Sequence, residues 1–369
     1  MQSFFNFERT ALQNWLSDSV AGTAGKEVVR ARQLFEAVYK QNVRSAESLV
    51  GIAKSVQARV QTDLNIALPV AVESSEQSQH DGSIKFIFTL LSDGARIESV
   101  LIPERGRLTQ CLSTQVGCAQ ACRFCQTGRM GLARQLTTAE IVGQVLLAEQ
   151  WRAQNSTGIS SQMNLYGRIS NIVFMGMGEP LDNLQSVLNS IAIFTDPAGL
   201  NLSPNKITVS TVGLLPALEQ FLSQSKASLA LSLHSPFSAE RSRMMPVNDR
   251  HPMSEVLAVL RKHAQNYGRK FMIQYTLIRG FNDTPAHAQA LVAELAGIPV
   301  LVNLIPLNEH DGAAFRRPDL NSVFVFQNVL KAAGMVATVR LSKGRDIQAA
   351  CGQLIKKKSA PQKSILTEA

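Results

Sequence analysis

The alternation of apolar and polar positions divides the chain into three stretches with different periods. Up to about residue 66 there is no strand-like run, and residues 27–41 and 45–64 place Val, Leu, Ile and Ala at helical spacing. The period then changes. Ile84, Phe86 and Phe88 alternate with polar neighbours, Ser92-Asp93-Gly94 makes a turn, and residues 96–102 alternate again, which is a hairpin pattern. From about residue 106 a strand–helix rhythm sets in. Apolar strand candidates fall at 110–115, 171–175, 206–212, 228–233, 271–278, 301–307 and 336–341, with helical patterns at 138–152, 184–194, 253–265 and 284–295. Such alternation predicts an α/β protein with a parallel sheet and helices outside it, either doubly wound or a barrel. In a parallel barrel the chemistry gathers at the C-terminal strand ends, and the unusual residues of this chain fall there, which favours the barrel.

This pattern sets the expected organisation: an N-terminal helical accessory domain over 1–66, a β-hairpin linker over 67–105 and a partial barrel over 106–355. A basic flexible tail over 356–369, opening on Lys356-Lys357-Lys358, completes it. At 369 residues and 45% hydrophobic content the chain can bury a large core. The net charge of +9 suggests a polyanionic partner, although basic balance alone is a weak signal. Arg30, Arg32, Lys40, Arg44, Lys54 and Arg59 lie between the apolar positions of the first stretch, either as a solvated face or as an RNA-docking surface. Glu8 and Arg9 interrupt the opening residues too early for a secretion signal. The longest apolar stretch, 295–307, is broken by Gly297, Pro299, Asn303 and Pro306 and falls short of the roughly 20 residues of a membrane span. A cytoplasmic protein with no membrane contact is expected, where cysteines serve as thiols, metal ligands or catalytic groups.

Cys118, Cys122 and Cys125 put three thiols within eight residues. A closed structural zinc site wants four Cys or His ligands, and the nearest histidines, His80 and His234, are remote in sequence. Three thiolates suit a [4Fe–4S] cluster with one open iron able to bind a substrate, with a zinc site completed from afar as the alternative. Met175-Gly176-Met177-Gly178-Glu179-Pro180 follows the second barrel strand. It is either a tight strand-to-helix turn or a ligand loop in which Gly178 lets the backbone come close and Glu179 accepts from an ammonium group. Ser210, Ser232-Leu233-His234 and Asn308 close later strands. Each is an ordinary strand-end cap or a contact for ribose, carboxylate or adenine, and their recurrence on one rim favours the second reading. Cys111 and Cys351 are either buried apolar thiols or, with Lys343 and Arg345 near Cys351, reactive ones.

The cysteine spacing, with Phe124 before the third cysteine, and the Gly178-Glu179-Pro180 segment resemble the radical S-adenosylmethionine superfamily. The resemblance narrows with Val100-Leu-Ile-Pro-Glu104, Gln115-Val-Gly-Cys118, Met175–Pro180, Ser232-Leu-His234, Gly280-Phe-Asn-Asp283 and Ala349-Ala-Cys-Gly-Gln-Leu354. Across residues 95–355 the chain is similar to the radical S-adenosylmethionine RNA methyltransferases that act on adenosine in large-subunit ribosomal RNA.

That resemblance implies a partial barrel of the radical S-adenosylmethionine type and one [4Fe–4S] cluster on Cys118, Cys122 and Cys125. It assigns S-adenosylmethionine contacts to Gly178, Glu179, Ser210, Ser232, Leu233, His234 and Asn308. Two S-adenosylmethionine molecules would be consumed per methylation: Cys351 would carry a methyl group, Glu98 would act as base, and Cys111 would resolve the adduct through a transient disulfide. Implied partners are ribosomal RNA and a flavodoxin-type electron donor, and a monomer is expected. The N-terminal region departs from the family pattern: Val29 stands where a Phe is usual in the stretch Lys26–Leu34. Residues 303–312 diverge after their first half, and 154–167 reads as an added polar loop. Transfer RNA, another ribosomal adenosine, and carbon 8 in place of carbon 2 therefore stay open.

Overall fold

The computed structural model describes residues 1–19, 25–104, 106–155, 167–309 and 314–354. The tail expected at 356–369 and nearly all of the polar loop at 154–167 lie outside them. Ten strands form one sheet: β1 (Val70–Gln77), β2 (Ile84–Leu90), β3 (Arg96–Glu104), β4 (Arg107–Cys111), β5 (Asn171–Phe174), β6 (Ile207–Thr211), β7 (Ser228–Ser232), β8 (Phe271–Leu277), β9 (Val300–Pro306) and β10 (Val336–Val339). Their order across the sheet is their order along the chain. From β4 to β10 every neighbouring pair is parallel, while β1 to β4 run antiparallel.

Sequential order decides between the two architectures. Right-handed crossovers in one direction put every connecting helix on the same face, so the sheet must curl to cover the other face, giving a partial barrel. A doubly wound sheet would reverse its order in the middle. The helices that follow the parallel strands are α4 (Thr138–Gln154), α5 (Leu184–Thr195), α6 (Leu215–Gln224), α7 (Ser238–Met244) with α8 (Met253–Tyr267), α9 (Pro285–Glu294) and α10 (Leu320–Ala332); α1 to α3 (Arg9–Ser19, Glu27–Phe35, Lys54–Asp63) precede the sheet. α4 begins with a capping box in which Thr137 and Glu140 satisfy each other's backbone N–H. None of the described helices is long and apolar enough to cross a membrane.

Two sequence expectations change. The alternation over 84–102 is the β2–β3 hairpin, but it is no free linker: β1 adds a third strand, and all three continue the barrel sheet. The run at 110–115 is also not one strand. β4 ends at Cys111, and Gln115–Cys118 leaves the sheet to pair antiparallel with Gly131–Gln135. Between them the backbone turns toward the β5 loop, with the Leu112 N–H donating to the Val173 carbonyl at 2.8 Å and the Thr114 N–H to the Met177 carbonyl at 2.8 Å.

The N-terminal helices pack around Phe4, Phe5, Phe35 and Tyr39, whose rings meet 5.0–6.1 Å apart. Arg9 Nε reaches Asp196 at 2.6 Å, which fastens them to the barrel. At the other end, residues 340–354 run from β10 back to the β1–β2 turn. Ser78 Oγ and the Gln79 N–H donate to the Asp346 carboxylate at 2.8 and 3.1 Å, and the Gly344 N–H donates to Asp81 Oδ2 at 2.8 Å. The last segment thus clasps the two edges of an open barrel.

Candidate active site

The loop that carries Cys122 and Cys125 is held between the paired strands Gln115–Cys118 and Gly131–Gln135. A side chain at Gly117 (φ +84°) would place its Cβ 1.9 Å from the Gly131 carbonyl oxygen, so only glycine lets this ribbon pass. The Cys125 N–H donates to the Cys122 carbonyl at 3.1 Å, and the Arg123 N–H to the Met244 carbonyl at 3.0 Å. The C-terminal segment binds the same loop: the Gln126 N–H donates to the Gly352 carbonyl at 2.8 Å and Thr127 Oγ1 to that of Leu354 at 2.8 Å. All three thiols line one cavity of about 150 Å³. Burial pushes the Cys118 thiol up to about 12, and raises Cys122 and Cys125 as well. Unliganded, they keep their protons, and a metal would have to displace them.

The rest of that cavity is the C-terminal rim of the barrel. A Cβ on Gly178 (φ +104°) would lie 2.6 Å from the Gln115 side chain, so glycine allows the close contact through which Gln115 Oε1 accepts from the Glu179 N–H at 2.7 Å. Gln115 Nε2 donates to Asp182 Oδ2 and Gln135 Oε1, both at 2.9 Å. The Glu179 carboxylate accepts from the N–H groups of Leu181 and Val212 at 3.0 Å each, yet burial still pushes it up to about 7. An ammonium group placed against it would restore its charge. Ser210 and Ser232 bring their hydroxyls 3.5 Å apart.

His234 sits at a left-handed φ of +61° with its ring edge-on to Phe124 at 5.0 Å. Its Nδ1 accepts from the Thr276 N–H at 2.9 Å, so Nε2 carries the proton, and burial with the nearby Arg241 pushes its pKa down to about 3. Asn308 Nδ2 donates to Ser342 Oγ at 2.9 Å and to the Cys351 carbonyl at 3.1 Å, but its Oδ1 is buried without a partner.

Cys351 lines this cavity and a smaller one beside it, which it shares with Cys111, Ile102, Val173 and Arg340. Burial pushes Cys111 up to about 12, Cys351 adds to the rise, and Arg340 opposes it. Both cysteines are free thiols here. Glu98, on β3, is 3% exposed and lines neither cavity. It faces a third, bounded by Glu76, Lys85, Asp346 and Gln348, with Lys85 Nζ at 3.9 Å from its carboxylate.

The structure therefore gathers Cys118, Cys122, Cys125, Gly178, Glu179, Ser210, Ser232, His234, Asn308 and Cys351 around one space. Leu233 does not join them; its side chain is fully buried in the core. Gln115, which stood out only as part of the motif Gln115-Val-Gly-Cys118, and Asp182, which had no signal in periodicity or composition, position the glycine–glutamate loop. Thr276, the donor that fixes the His234 tautomer, had no such signal either.

The donor set fits an iron–sulfur cluster and a small ligand. Three thiols that line one cavity, with further room beside them, suit an iron–sulfur cluster and its ligand. Asn308 Oδ1 awaits an N–H donor. A partial (β/α) barrel with three cysteines after its first parallel strand and a glycine–glutamate loop after its second defines a radical S-adenosylmethionine enzyme. Residues 112–290 match the model of the radical SAM superfamily.

The chain is 40% identical over 350 residues to the dual-specificity RNA methyltransferase RlmN of Syntrophobacter fumaroxidans, covering 95% of this chain and 97% of that one. It is 41% identical over 330 residues to the RlmN of Geotalea uraniireducens, covering 89% and 91%. A radical SAM methyltransferase from Sphaerobacter thermophilus superposes with a TM-score of 0.84 at 37% identity, over 96% of this chain and 99% of that one. The chain belongs to the RlmN family of radical SAM RNA methyltransferases.

Proposed function

We propose that this protein methylates an adenine ring carbon of RNA, carbon 2 of a ribosomal adenosine and of transfer RNA, with Cys351 as the methyl carrier. The observation that carries the reading is the position of Cys351, which lines both the cavity of the three clustered cysteines and the cavity of Cys111. A carrier thiol has to meet a methyl donor on one side and a resolving thiol on the other. The relatives' name, dual-specificity RNA methyltransferase, supports RNA as substrate, and the net charge of +9 agrees with it. The helical region over 1–66 would dock that RNA, and a flavodoxin-type protein would donate electrons to the monomeric enzyme.

Cys118, Cys122 and Cys125 would hold the [4Fe–4S] cluster. Gly178, Glu179, Ser210, Ser232, His234 and Asn308 would hold S-adenosylmethionine, with the Leu233 backbone between two of them. When bound, these groups supply a transferable methyl and, from a second S-adenosylmethionine, a 5′-deoxyadenosyl radical. Glu179 would take the ammonium group, and Asn308 Oδ1 an N–H donor. Cys351 Sγ accepts the methyl; after that methyl loses a hydrogen atom, its carbon joins the adenine ring, making the base a thioether of Cys351. Glu98 would accept the proton from the ring carbon, while the adduct's unpaired electron would pass to the iron–sulfur cluster, when bound by Cys118, Cys122 and Cys125, as its one-electron acceptor. To reach that base Glu98 needs residues 346–348 to shift, because they bound its cavity. Cys111 Sγ then attacks Cys351 Sγ, the carbon–sulfur bond breaks, and the freed carbon takes a proton to become the methyl group. The disulfide left between the two cysteines is reopened by an external thiol.

The test is Cys111→Ala. With total RNA, S-adenosylmethionine and a reductant, this variant is expected to accumulate protein covalently joined to RNA through Cys351, and sequencing the RNA would name the nucleotide. A variant that keeps its iron and forms no adduct with any RNA would sink the carrier role of Cys351.

A further inference from the structure

Arg241, on α7, is fully buried, yet the proposed reaction does not use it. Its guanidinium donates to the Leu233 carbonyl at 3.1 Å, to Asn248 Oδ1 at 2.9 Å, and to the carbonyls of Val212 and Ser232 at 2.8 and 3.1 Å. All four acceptors are neutral, and among the described residues no carboxylate forms an ion pair with it. A buried cation without an anion is costly, and carbonyl dipoles offset only part of that cost. Its surroundings point to where the anion belongs. The helix abuts the cysteine loop through the Arg123 N–H on the Met244 carbonyl, and Cys122 packs with Met244, Met245 and Val247. Val212 and Ser232, whose carbonyls Arg241 holds, line the same cavity as the three thiols.

We propose that Arg241 is a fixed counter-charge to the iron–sulfur cluster of Cys118, Cys122 and Cys125, and that it raises the reduction potential of that cluster. The inference rests on reading those cysteines as cluster ligands and is independent of the RNA chemistry. A [4Fe–4S]²⁺ core with three thiolates carries one net negative charge, and a one-electron donor takes it to two. A nearby buried cation stabilises the second state more than the first. The competing view makes Arg241 a hydrogen-bond hub that ties the ends of β6 and β7 to α7, with its charge irrelevant.

The test compares Arg241→Lys, which keeps the charge and loses the fork of donors, with the neutral Arg241→Gln and Arg241→Met. Each full-length protein is reconstituted anaerobically with iron and sulfide and titrated with dithionite, the reduced cluster being read by electron paramagnetic resonance. The neutral variants are expected to show about a tenfold lower reduced-to-oxidised ratio at a given potential, a shift of roughly 59 mV for one electron. The Lys protein should stay within about threefold of wild type. If the neutral variants hold no iron while the Lys protein does, the charge is needed even for assembly, which also supports the proposal. Equal shifts in the Lys and neutral proteins, no shift in any of them, or loss of iron from the Lys protein as well would overturn it. Wild-type protein that takes up no cluster would instead refute the reading of the cysteines.

Discussion

The seven parallel strands and the three antiparallel ones share one sheet but place their polar groups differently. Along β5 to β9 the polar residues of the site stand at or past the strand ends, so Glu179, Ser232 with His234, and Asn308 come from three separate connections and meet only because the barrel curls. Along β1 to β3 they stand within the strands on one face: Glu76 lies directly opposite Lys85, and Glu98 is its diagonal neighbour. One half assembles a rim from distant pieces of chain, and the other presents a short charged row. Residues 340–354 touch both, with Cys351 on the rim and Asp346 beside the row.

That contrast can be broken by one substitution on each side. Cys118→Ala should lower iron and sulfide to background and abolish RNA methylation altogether, as colorimetric iron analysis and mass spectrometry of the RNA would report. Glu98→Gln should leave the iron content unchanged and slow methylation by a factor on the order of 10² to 10⁴, the usual worth of a general base. If Glu98→Gln also lost its iron, the two regions would not be functionally separate.

A smaller effect is expected where the halves are joined. Asp346→Ala removes the acceptor of two hydrogen bonds from the β1–β2 turn and should cost roughly 1–3 kcal/mol in urea unfolding, with the iron ligands untouched. An unchanged unfolding midpoint would mean that the clasp contributes nothing to holding the barrel edges together.

The smallest effect is a pH slope. Glu179 is pushed from an ordinary 4.5 to about 7 by burial, so the folded state holds its proton more tightly than the unfolded chain does. Cluster-free protein should therefore be most stable below pH 4.5 on this account, lose stability as pH rises from there through 7, and level off above. Denaturation at pH 5 and pH 8 should show this loss in wild type and a reduced one in Glu179→Gln. Equal losses in both proteins would assign the slope to other groups.

Much of the parallel half was legible in the sequence, because its strands are short and rich in apolar residues and its rim residues punctuate them. Cys118, Cys122 and Cys125 stood out by their spacing, and Glu179 and Asn308 by their place at strand ends, their roles being implied only by resemblance. β1 was not legible, since Val70–Gln77 reads Val-Ala-Val-Glu-Ser-Ser-Glu-Gln, polar over most of its length, and pairs through backbone on an exposed edge. The break in the 110–115 run was hidden too, because the bonds that bend it come from Val173 and Met177, more than sixty residues away. Arg241 lies in Ser-Ala-Glu-Arg-Ser-Arg-Met, a polar stretch that reads as solvated; only the tertiary structure shows that it is sealed in. Glu98 could be named by resemblance, but its pairing with Lys85 needed the strand register.

The clasp also bears on the order in which the molecule is made. Ser78 and Asp346 are 268 residues apart, so the bonds between them close only after the ribosome has produced nearly everything between the two barrel edges. Chains that fold as they emerge form their N-terminal parts first. The three cysteines are therefore in place while the wall that carries Cys351 is still unmade. Synthesis itself leaves an interval in which the cavity lacks the side that carries Cys351.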